Sequence, residues 1–154
     1  MIDFTISGEP AVDTSILLNL ASTICNDAHP EVYFVICLSI VTSDEMQSYN
    51  RSYRGVDKPT DVLSFVNDLK TDITTSDEDI NNQTKQGLTR LCDIIIDINQ
   101  LALQKDTRTL EEEFLIVFIH GMLHLVGYDH IRKQDAEIMH NKEEYYRKMT
   151  EGAI

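Results

Sequence analysis

The spacing of apolar residues predicts strands and helices that alternate along the chain. Apolar and polar residues alternate over Ile2–Ile6, as in a short strand with one covered face. Helical spacing follows over about Asp13–Ala28, where Asp13 or Thr14 could cap the N-terminus. The same pattern predicts these further elements: a strand Val32–Val41, a short helix from Ser43 or Asp44 to about Arg51, strands Asp61–Val66 and Leu91–Asp97, a short helix near Asn99, and a charged helix from about Lys133 to Thr150. Strands interleaved with helices indicate one α/β (α+β) domain over residues 1–154, with a small mixed sheet packed by helices.

Two segments are predicted to be fully buried. The consecutive apolar residues Ile94–Ile96 indicate a strand that is covered on both faces. The segment Phe114–Ile119 is apolar on every side, which indicates a long buried helix. Thr109 and Glu112 could form a capping box at the start of that helix. The C-terminal helix differs from it, because runs of Glu and Lys indicate a solvated face.

The segment Asn67–Thr89 interrupts this alternation with a polar sequence rich in Asp, Asn and Thr. It contains few residues that could join a core. Long connections without secondary structure are usually functional or disordered in small domains. We therefore expect a mobile surface loop over residues 67–89.

Composition narrows the class of protein. A chain of 154 residues, 42% of them hydrophobic, can bury an ordinary core without disulfide bonds. Cys25, Cys37 and Cys92 are widely separated, so we expect reduced core thiols in a cytosolic protein. No apolar run is long enough to span a membrane, and the first residues lack the basic region and apolar core of a signal peptide. These features predict a cytoplasmic protein without a membrane partner.

The formal net charge of −13 argues against nucleic-acid binding through a broad basic face. Any contact with RNA would need a local basic patch together with the charge of a metal ion. Arg51, Arg54 and Lys58 concentrate positive charge in one short segment, and Gly55 and Pro59 mark that segment as a loop. The segment is either such a patch or a turn with incidental surface charge.

Three of the five histidines lie close together, at the end of the predicted buried helix. His120 and His124 are four residues apart and therefore share one helix face. Gly127 can end the helix in a left-handed conformation, which would let the chain turn back and bring His130 to the same point. Three converging imidazoles form a metal site with an open position, and zinc is the metal expected there. Histidines satisfied by ordinary hydrogen bonds are the alternative, but the spacing and the apolar surroundings favour a metal.

The residue after the first histidine bears on the reaction. The spacing is that of the H-E-x-x-H-x-x-G-x-x-H pattern of zinc proteases, in which the glutamate is the general base. Gly121 occupies the position of that glutamate. The chain therefore has the histidines of a zinc peptidase without its base, which weakens the peptidase hypothesis.

Two long motifs resemble those of the YbeY family of bacterial endoribonucleases, also described as ribosomal RNA maturation factors. The first is H-G-x-L-H-L-x-G-Y-D-H at residues 120–130, and the second is Y-R-G-x-D-K-P-T-D-V-L-S-F at residues 53–65. A weaker match is the strand Leu91–Ile94. Two positions depart from the family pattern, since Val66 and Cys92 stand where proline and glycine are common. Both positions look structural, so neither departure affects the site.

This resemblance implies that His120, His124 and His130 bind one Zn²⁺ per chain and that Arg54 is needed for activity on RNA. It also implies a zinc-dependent endoribonuclease, specific for single strands, that matures the 3′ end of small-subunit ribosomal RNA and acts in ribosome quality control. The partners would then be RNA, the small ribosomal subunit and ribosome-assembly factors.

Two other functions stay open from the residues alone. A zinc peptidase, or another metal-dependent hydrolase, would use the same three histidines. A non-catalytic ribosome-assembly factor would use zinc only structurally, although structural zinc is normally closed by four protein ligands. Asp129 could orient a histidine from behind, and the residues do not identify a general base.

Overall fold

The computed structural model describes residues 2–74 and 84–153, the side chains of 71–74 and 84–86 excepted. The elements follow one another as β1 (Ile2–Ser7), α1 (Thr14–Ala28), β2 (Tyr33–Val41), α2 (Ser43–Arg54), β3 (Val62–Thr74), β4 (Thr84–Asp97), α3 (Ile98–Gln104), α4 (Leu110–Leu125) and α5 (Lys133–Met149). This is the alternation of strands and helices that the apolar pattern predicts. Within the described ranges, no helix combines the length and the apolar character that a membrane span requires.

One mixed sheet with the strand order β1-β2-β4-β3 organises the domain. Strands β1, β2 and β4 run parallel, and β3 returns antiparallel to β4 along the edge of the sheet. Alternate residues of β2 and β4 are apolar and join one buried cluster with α1, α4 and α5: Phe34, Ile36, Leu38, Cys92, Ile94 and Ile96. The α/β fold with one small mixed sheet, predicted from the sequence, is confirmed.

Helix α4 lies at the centre of that cluster. Every residue of Phe114–Ile119 except Ile116 is buried. The helix contacts β3, β4, α1, α3 and α5. Thr109 Oγ1 accepts the Glu112 N–H at 3.2 Å, which is one half of the predicted capping box. Burial on nearly every side confirms the prediction made from its apolar sequence.

The opposite face of the sheet is covered only in part. A smaller buried cluster packs beneath α2 at one end of this face: Val41, Met46, Leu63 and Ile95. Cys37 points to the same face beyond the part that α2 covers, and it is exposed. The prediction of three core thiols is therefore wrong for Cys37, whereas Cys25 and Cys92 are buried and all three thiols are free.

The prediction of a loop over Asn67–Thr89 is wrong at both of its ends. Strand β3 extends to Thr74 and β4 begins at Thr84, with antiparallel pairing along this whole length. Residues 75–83, the middle of the predicted loop, lie outside the described residues. The polar composition misled the prediction because the hydrogen bonds of an antiparallel pair join backbone groups and do not require apolar side chains.

Arg90 joins this hairpin to the C-terminal end of α4. Its guanidinium donates to Asp68 Oδ1 at 2.7 Å, to Asp68 Oδ2 at 3.0 Å and to Leu125 O at 3.0 Å. The guanidinium also lies over the Phe34 ring, 5.8 Å from its centroid. The hydrogen bond from Arg90 lowers the pKa of the Asp68 carboxyl, so this carboxylate stays ionised to a lower pH than an ordinary aspartate. These contacts fix the end of α4 that follows His124 and leads towards His130.

Replacing Arg90 with methionine should lower the free energy of unfolding of the metal-free protein by about 1.5–3 kcal/mol, because charge-assisted hydrogen bonds are lost. Arg147→Met is the matched control, since it removes a half-exposed ion pair to Glu144 at 3.4 Å. That change should cost roughly 0.5 kcal/mol or less. Urea denaturation of the wild type and both variants makes the comparison. Equal costs for the two variants would show that the Arg90 contacts do not stabilise the fold.

Candidate metal centre

Three histidines converge at the end of α4, as the sequence predicts. His120 and His124 lie one turn apart on the helix, with their ring centroids 4.6 Å from each other. The ring of His130 lies 5.5 Å from that of His120 and 5.2 Å from that of His124. The two helical histidines are half-buried, whereas His130 is exposed. The group is therefore anchored in the core on one side and open to solvent on the other.

A glycine turn after α4 brings His130 back to the helix. Gly127 has a φ of 108°, a conformation that side-chain-bearing residues rarely adopt. Its N–H donates to His124 O at 3.1 Å, and the Tyr128 N–H donates to Leu123 O at 3.0 Å. These two bonds define a Schellman C-cap, which ends the helix and reverses the chain. The predicted helix stop at Gly127 is confirmed.

The nitrogen positions fit a metal ion. One nitrogen from each of the three rings lies within 4.8 Å of the other two. His120 Nε2 and His124 Nε2 are 3.1 Å apart. Two ligands of a tetrahedral zinc ion with bonds of about 2.0–2.1 Å lie roughly 3.3 Å apart, so the observed separation is close to that required. Burial, and then the neighbouring His120 and His130 rings, lower the pKa of His124, which favours the neutral imidazole that binds metals.

Glu143 contacts His120 at the ring nitrogen that does not face His124. Its Oε1 lies 3.2 Å from His120 Nδ1, and both side chains are largely shielded from solvent. A proton on His120 Nδ1, donated to this carboxylate, leaves Nε2 with the lone pair that a metal needs. Glu143 is not among the residues predicted from the sequence, because the Glu and Lys runs of α5 indicate a solvated face. Helical spacing could have found it, since Glu143 shares a face with the buried residues Met139 and Tyr146.

A cleft of about 570 Å³ contains the three histidines together with Arg54. Its lining comes from the end of α2, the start of β3, α4 and the turn after α4: Arg54, Thr60, Asp61, Val62, Leu63, Ser64, His120, His124, Asp129, His130 and Ile131. Arg54 is exposed, and its side chain makes no hydrogen bond or ion pair within the part of the chain that the structure describes. Its guanidinium is therefore available to a ligand in the cleft.

The end of α2 and the following loop are held by specific contacts. Gly55 adopts a φ of 70° and donates its N–H to Arg51 O at 3.1 Å, which ends the helix directly after Arg54. Asn50 is buried, and its Nδ2 donates to Lys58 O at 2.8 Å. Gly55 and Pro59, which predict a loop, thus belong to a segment that is hydrogen-bonded to α2. These contacts hold Arg54, the last residue of α2, at the mouth of the cleft.

Two carboxylates line the cleft, and both are committed to the backbone or to a neighbouring side chain. Asp129 Oδ1 accepts the Ile131 N–H at 3.2 Å, so this side chain stabilises its own turn. Asp61 accepts the Val62 N–H at 2.8 Å and Gln104 Nε2 at 3.1 Å. Neither carboxylate hydrogen-bonds to a histidine among the described residues. The hypothesis that Asp129 orients a histidine is therefore not supported, and Glu143 makes the corresponding contact.

Gly121 lies where α4 packs closely on the sheet. A Cβ atom at this position would be 3.2 Å from Ser64 Oγ and 3.4 Å from methyl groups of Val62 and Ile94. Ser64 Oγ donates to Gly121 O at 3.3 Å across the same contact. A side chain at position 121 would therefore press on the sheet, and Ser64, Val62 and Ile94 would have to shift to admit the glutamate of the protease pattern.

The two remaining histidines lie outside the group. His29 Nε2 is 2.9 Å from Val126 O, so its ring donates to the C-terminal turn of α4. His140 is exposed on α5. The structure thus brings together the three histidines that the spacing selects and leaves the other two apart.

The chain is similar to known proteins along most of its sequence. A family model described as Endoribonuclease YbeY matches residues 7–151. The chain is 34% identical over 152 residues to the Endoribonuclease YbeY of Shouchella clausii. This match covers 94% of the present chain and 92% of that protein. It is 36% identical over 132 residues to the Endoribonuclease YbeY of Aliarcobacter butzleri, with 84% and 79% covered.

A solved structure extends the likeness to the fold. The solution structure of a Thermotoga maritima protein matches with a TM-score of 0.55 and 28% identity, over 96% of this chain and 87% of the other. The fold therefore agrees with a match that runs along nearly the whole sequence. The chain belongs to the YbeY endoribonuclease family.

Proposed function

We propose that this protein is a zinc-dependent endoribonuclease that cleaves single-stranded RNA. One observation carries the proposal: three imidazoles that fit a metal ion share one cleft with an arginine whose side chain has no partner among the described residues. A metal ion beside a guanidinium suits a phosphodiester, because both stabilise negative charge on the phosphoryl oxygens. Membership of the YbeY family supports RNA as the substrate. In this proposal His120, His124 and His130 hold one zinc ion per chain.

The proposed reaction uses the three histidines and Arg54 in the cleft, while Glu143 and Gly121 act from outside its lining. Zinc, when bound, supplies a Lewis acid and makes water acidic enough to give hydroxide near neutral pH. Arg54 binds the scissile phosphate, since its planar guanidinium can pair with two phosphate oxygens at once. Glu143 holds the His120 ring in the orientation and tautomer that ligation requires. Gly121 disfavours the peptidase alternative, because it leaves the centre without the glutamate base.

The charge of the chain limits how RNA can approach. The net charge of −13 repels nucleic acid from most of the surface. Exposed charges are screened beyond about 8–10 Å at physiological salt, so the metal and Arg54 can attract a phosphate only locally. RNA would therefore bind through the cleft and its rim, and affinity should depend on a few contacts.

The biological role we propose is maturation of the 3′ end of small-subunit ribosomal RNA, together with ribosome quality control in the cytoplasm. The small ribosomal subunit and ribosome-assembly factors would be the partners. Family membership supports these roles.

His124→Ala should abolish most of the metal binding, because two imidazoles form a much weaker site than three. The wild type should contain about one zinc per chain by elemental analysis. His140→Ala is the matched control and should keep its metal, since His140 is exposed on α5 and apart from the cleft. Equal loss of zinc in both variants would show that the ligands are assigned wrongly.

Glu143→Ala should weaken zinc binding by about 10- to 100-fold, the usual effect of losing a carboxylate behind a histidine ligand. Glu144→Ala is the control, because the adjacent Glu144 pairs with Arg147 instead of a histidine. Competition with a chromophoric chelator measures both affinities. If the two variants bind zinc equally well, Glu143 does not support the ligand.

Arg54→Ala should lower cleavage of single-stranded RNA by about 100-fold or more, as for loss of one group that stabilises transition-state charge. Zinc content and stability should not change, because Arg54 is exposed and is not a ligand. Arg147→Ala, an exposed arginine outside the cleft, should retain full activity.

The same preparations should be assayed on casein-like peptides, with His124→Ala as the control for a contaminating nuclease. Peptide cleavage that depends on His124, without RNA cleavage, would establish the peptidase alternative. Bound zinc without either activity would favour the assembly-factor alternative.

A further inference from the structure

Three aromatic side chains lie together between α2 and β3, where two of them pack against the smaller cluster and the third stays largely in solvent. The rings of Tyr49, Tyr53 and Phe65, which we call the aromatic platform, connect α2 to β3. The Tyr53 and Phe65 centroids are 5.0 Å apart, and the Tyr49 and Tyr53 rings are 6.2 Å apart and nearly parallel, at 16°. Tyr53 is 66% exposed, whereas the other two rings are half-buried. Tyr53 therefore rests on a fixed base and keeps much of its surface in solvent.

The exposure of Tyr53 is not explained by folding. The smaller cluster beneath α2 contains the buried residues Met46 and Leu63, and Tyr53 does not belong to it. Val56, exposed by 37%, extends the apolar surface in the segment that follows Tyr53. An apolar patch of this kind, next to polar groups, is typical of a binding surface.

The platform adjoins the cleft along the chain at Arg54. Tyr53 immediately precedes Arg54, which lines the cleft, whereas Phe65 points to the opposite face of β3 from Ser64 and supports the Tyr53 ring from that side. The same stretch of chain carries Arg51, Arg54 and Lys58, three of the 13 basic residues in a chain with 26 acidic ones, although Arg51 is paired with Asp57 at 3.5 Å. An aromatic surface beside locally concentrated positive charge is complementary to a nucleotide, which offers a flat base and an anionic phosphate.

We propose that Tyr53 stacks against an unpaired base of the RNA whose neighbouring phosphate enters the cleft. This inference rests on the proposed endoribonuclease function and names the part of the site that reads single strands. A base inside a duplex has both faces covered by its neighbours and cannot stack on a protein ring without leaving the helix. The platform thus accounts for a preference for single-stranded RNA without any sequence-specific contact, because every base has an aromatic face.

Tyr53→Leu tests the proposal in steady-state kinetics on a short single-stranded RNA. KM should rise by about 5- to 150-fold, the range that corresponds to losing one stacked base, while kcat changes little. Tyr53→Phe keeps the ring and should behave like the wild type. Tyr145→Leu is the matched control, because Tyr145 is 56% exposed and rests on the Tyr146 ring at 5.0 Å but lies outside the cleft. Zinc content should be unchanged in all three variants.

A substrate scan gives an independent readout that does not depend on how Tyr53→Leu folds. A series of RNAs, each with one abasic nucleotide, should show a raised KM for the wild type at one position near the cleavage site. That position-specific effect should disappear in Tyr53→Leu, because the ring that the missing base would contact is absent.

The possible failures can be told apart. If the wild type cleaves RNA but Tyr53→Leu has an unchanged KM, or the abasic scan is flat, the stacking proposal is overturned and the endoribonuclease function stands. A Tyr53→Phe variant as impaired as Tyr53→Leu would assign the effect to the hydroxyl group and would also overturn stacking. If the wild type cleaves no RNA while zinc is bound, the proposed function itself fails, and the stacking proposal fails with it.

Discussion

Helix α4 is packed against the sheet and against three other helices, and the whole centre depends on this packing. The helix carries His120 and His124, so their positions are as fixed as the buried residues around them. Gly121 allows the helix to lie against Val62, Ser64 and Ile94 without an intervening side chain. Because a packed interior resists small displacements, the two imidazoles cannot drift apart without disturbing the core. The energy of the fold thus maintains the geometry of the centre.

The edge strand β3 connects the two halves of the site. Its first residues line the cleft between Arg54, at the end of α2, and the histidines of α4. The backbone of Asp61 accepts the Asp97 N–H at 3.0 Å, so the start of β3 is fastened to the end of β4. The cleft therefore combines a rigid wall from the sheet with an arginine and a histidine that lie at the surface. Rigid walls with a few exposed polar groups are the usual form of a site that orients its substrate.

Much of the fold and part of the centre could be predicted from the sequence, because they follow from local periodicity. The caps at Asp13 and Thr109, the apolar α4 and the glycine stop at Gly127 all act within a few residues. The contact between Glu143 and His120 joins distant parts of the chain, and a charged residue on an amphipathic helix looks the same whether it meets solvent or a histidine. The length of the β3–β4 hairpin was missed because backbone pairing leaves little trace in a polar sequence. Cys37 shows the same limit, since its exposure depends on how far α2 extends over the sheet.

The three histidines differ in how they are tethered, and this difference has a kinetic consequence. His120 and His124 project from one rigid helix and would offer a metal ion two preorganised nitrogens, whereas His130 follows the turn at Gly127 and is exposed. A metal ion arriving from solvent would meet the helical pair in place and would complete its coordination only as the turn closes. Release would run in the reverse order, beginning with the solvent-facing imidazole. Substitutions in the turn should therefore mainly alter the rate of metal exchange. Substitutions in α4 should mainly alter the metal-binding equilibrium.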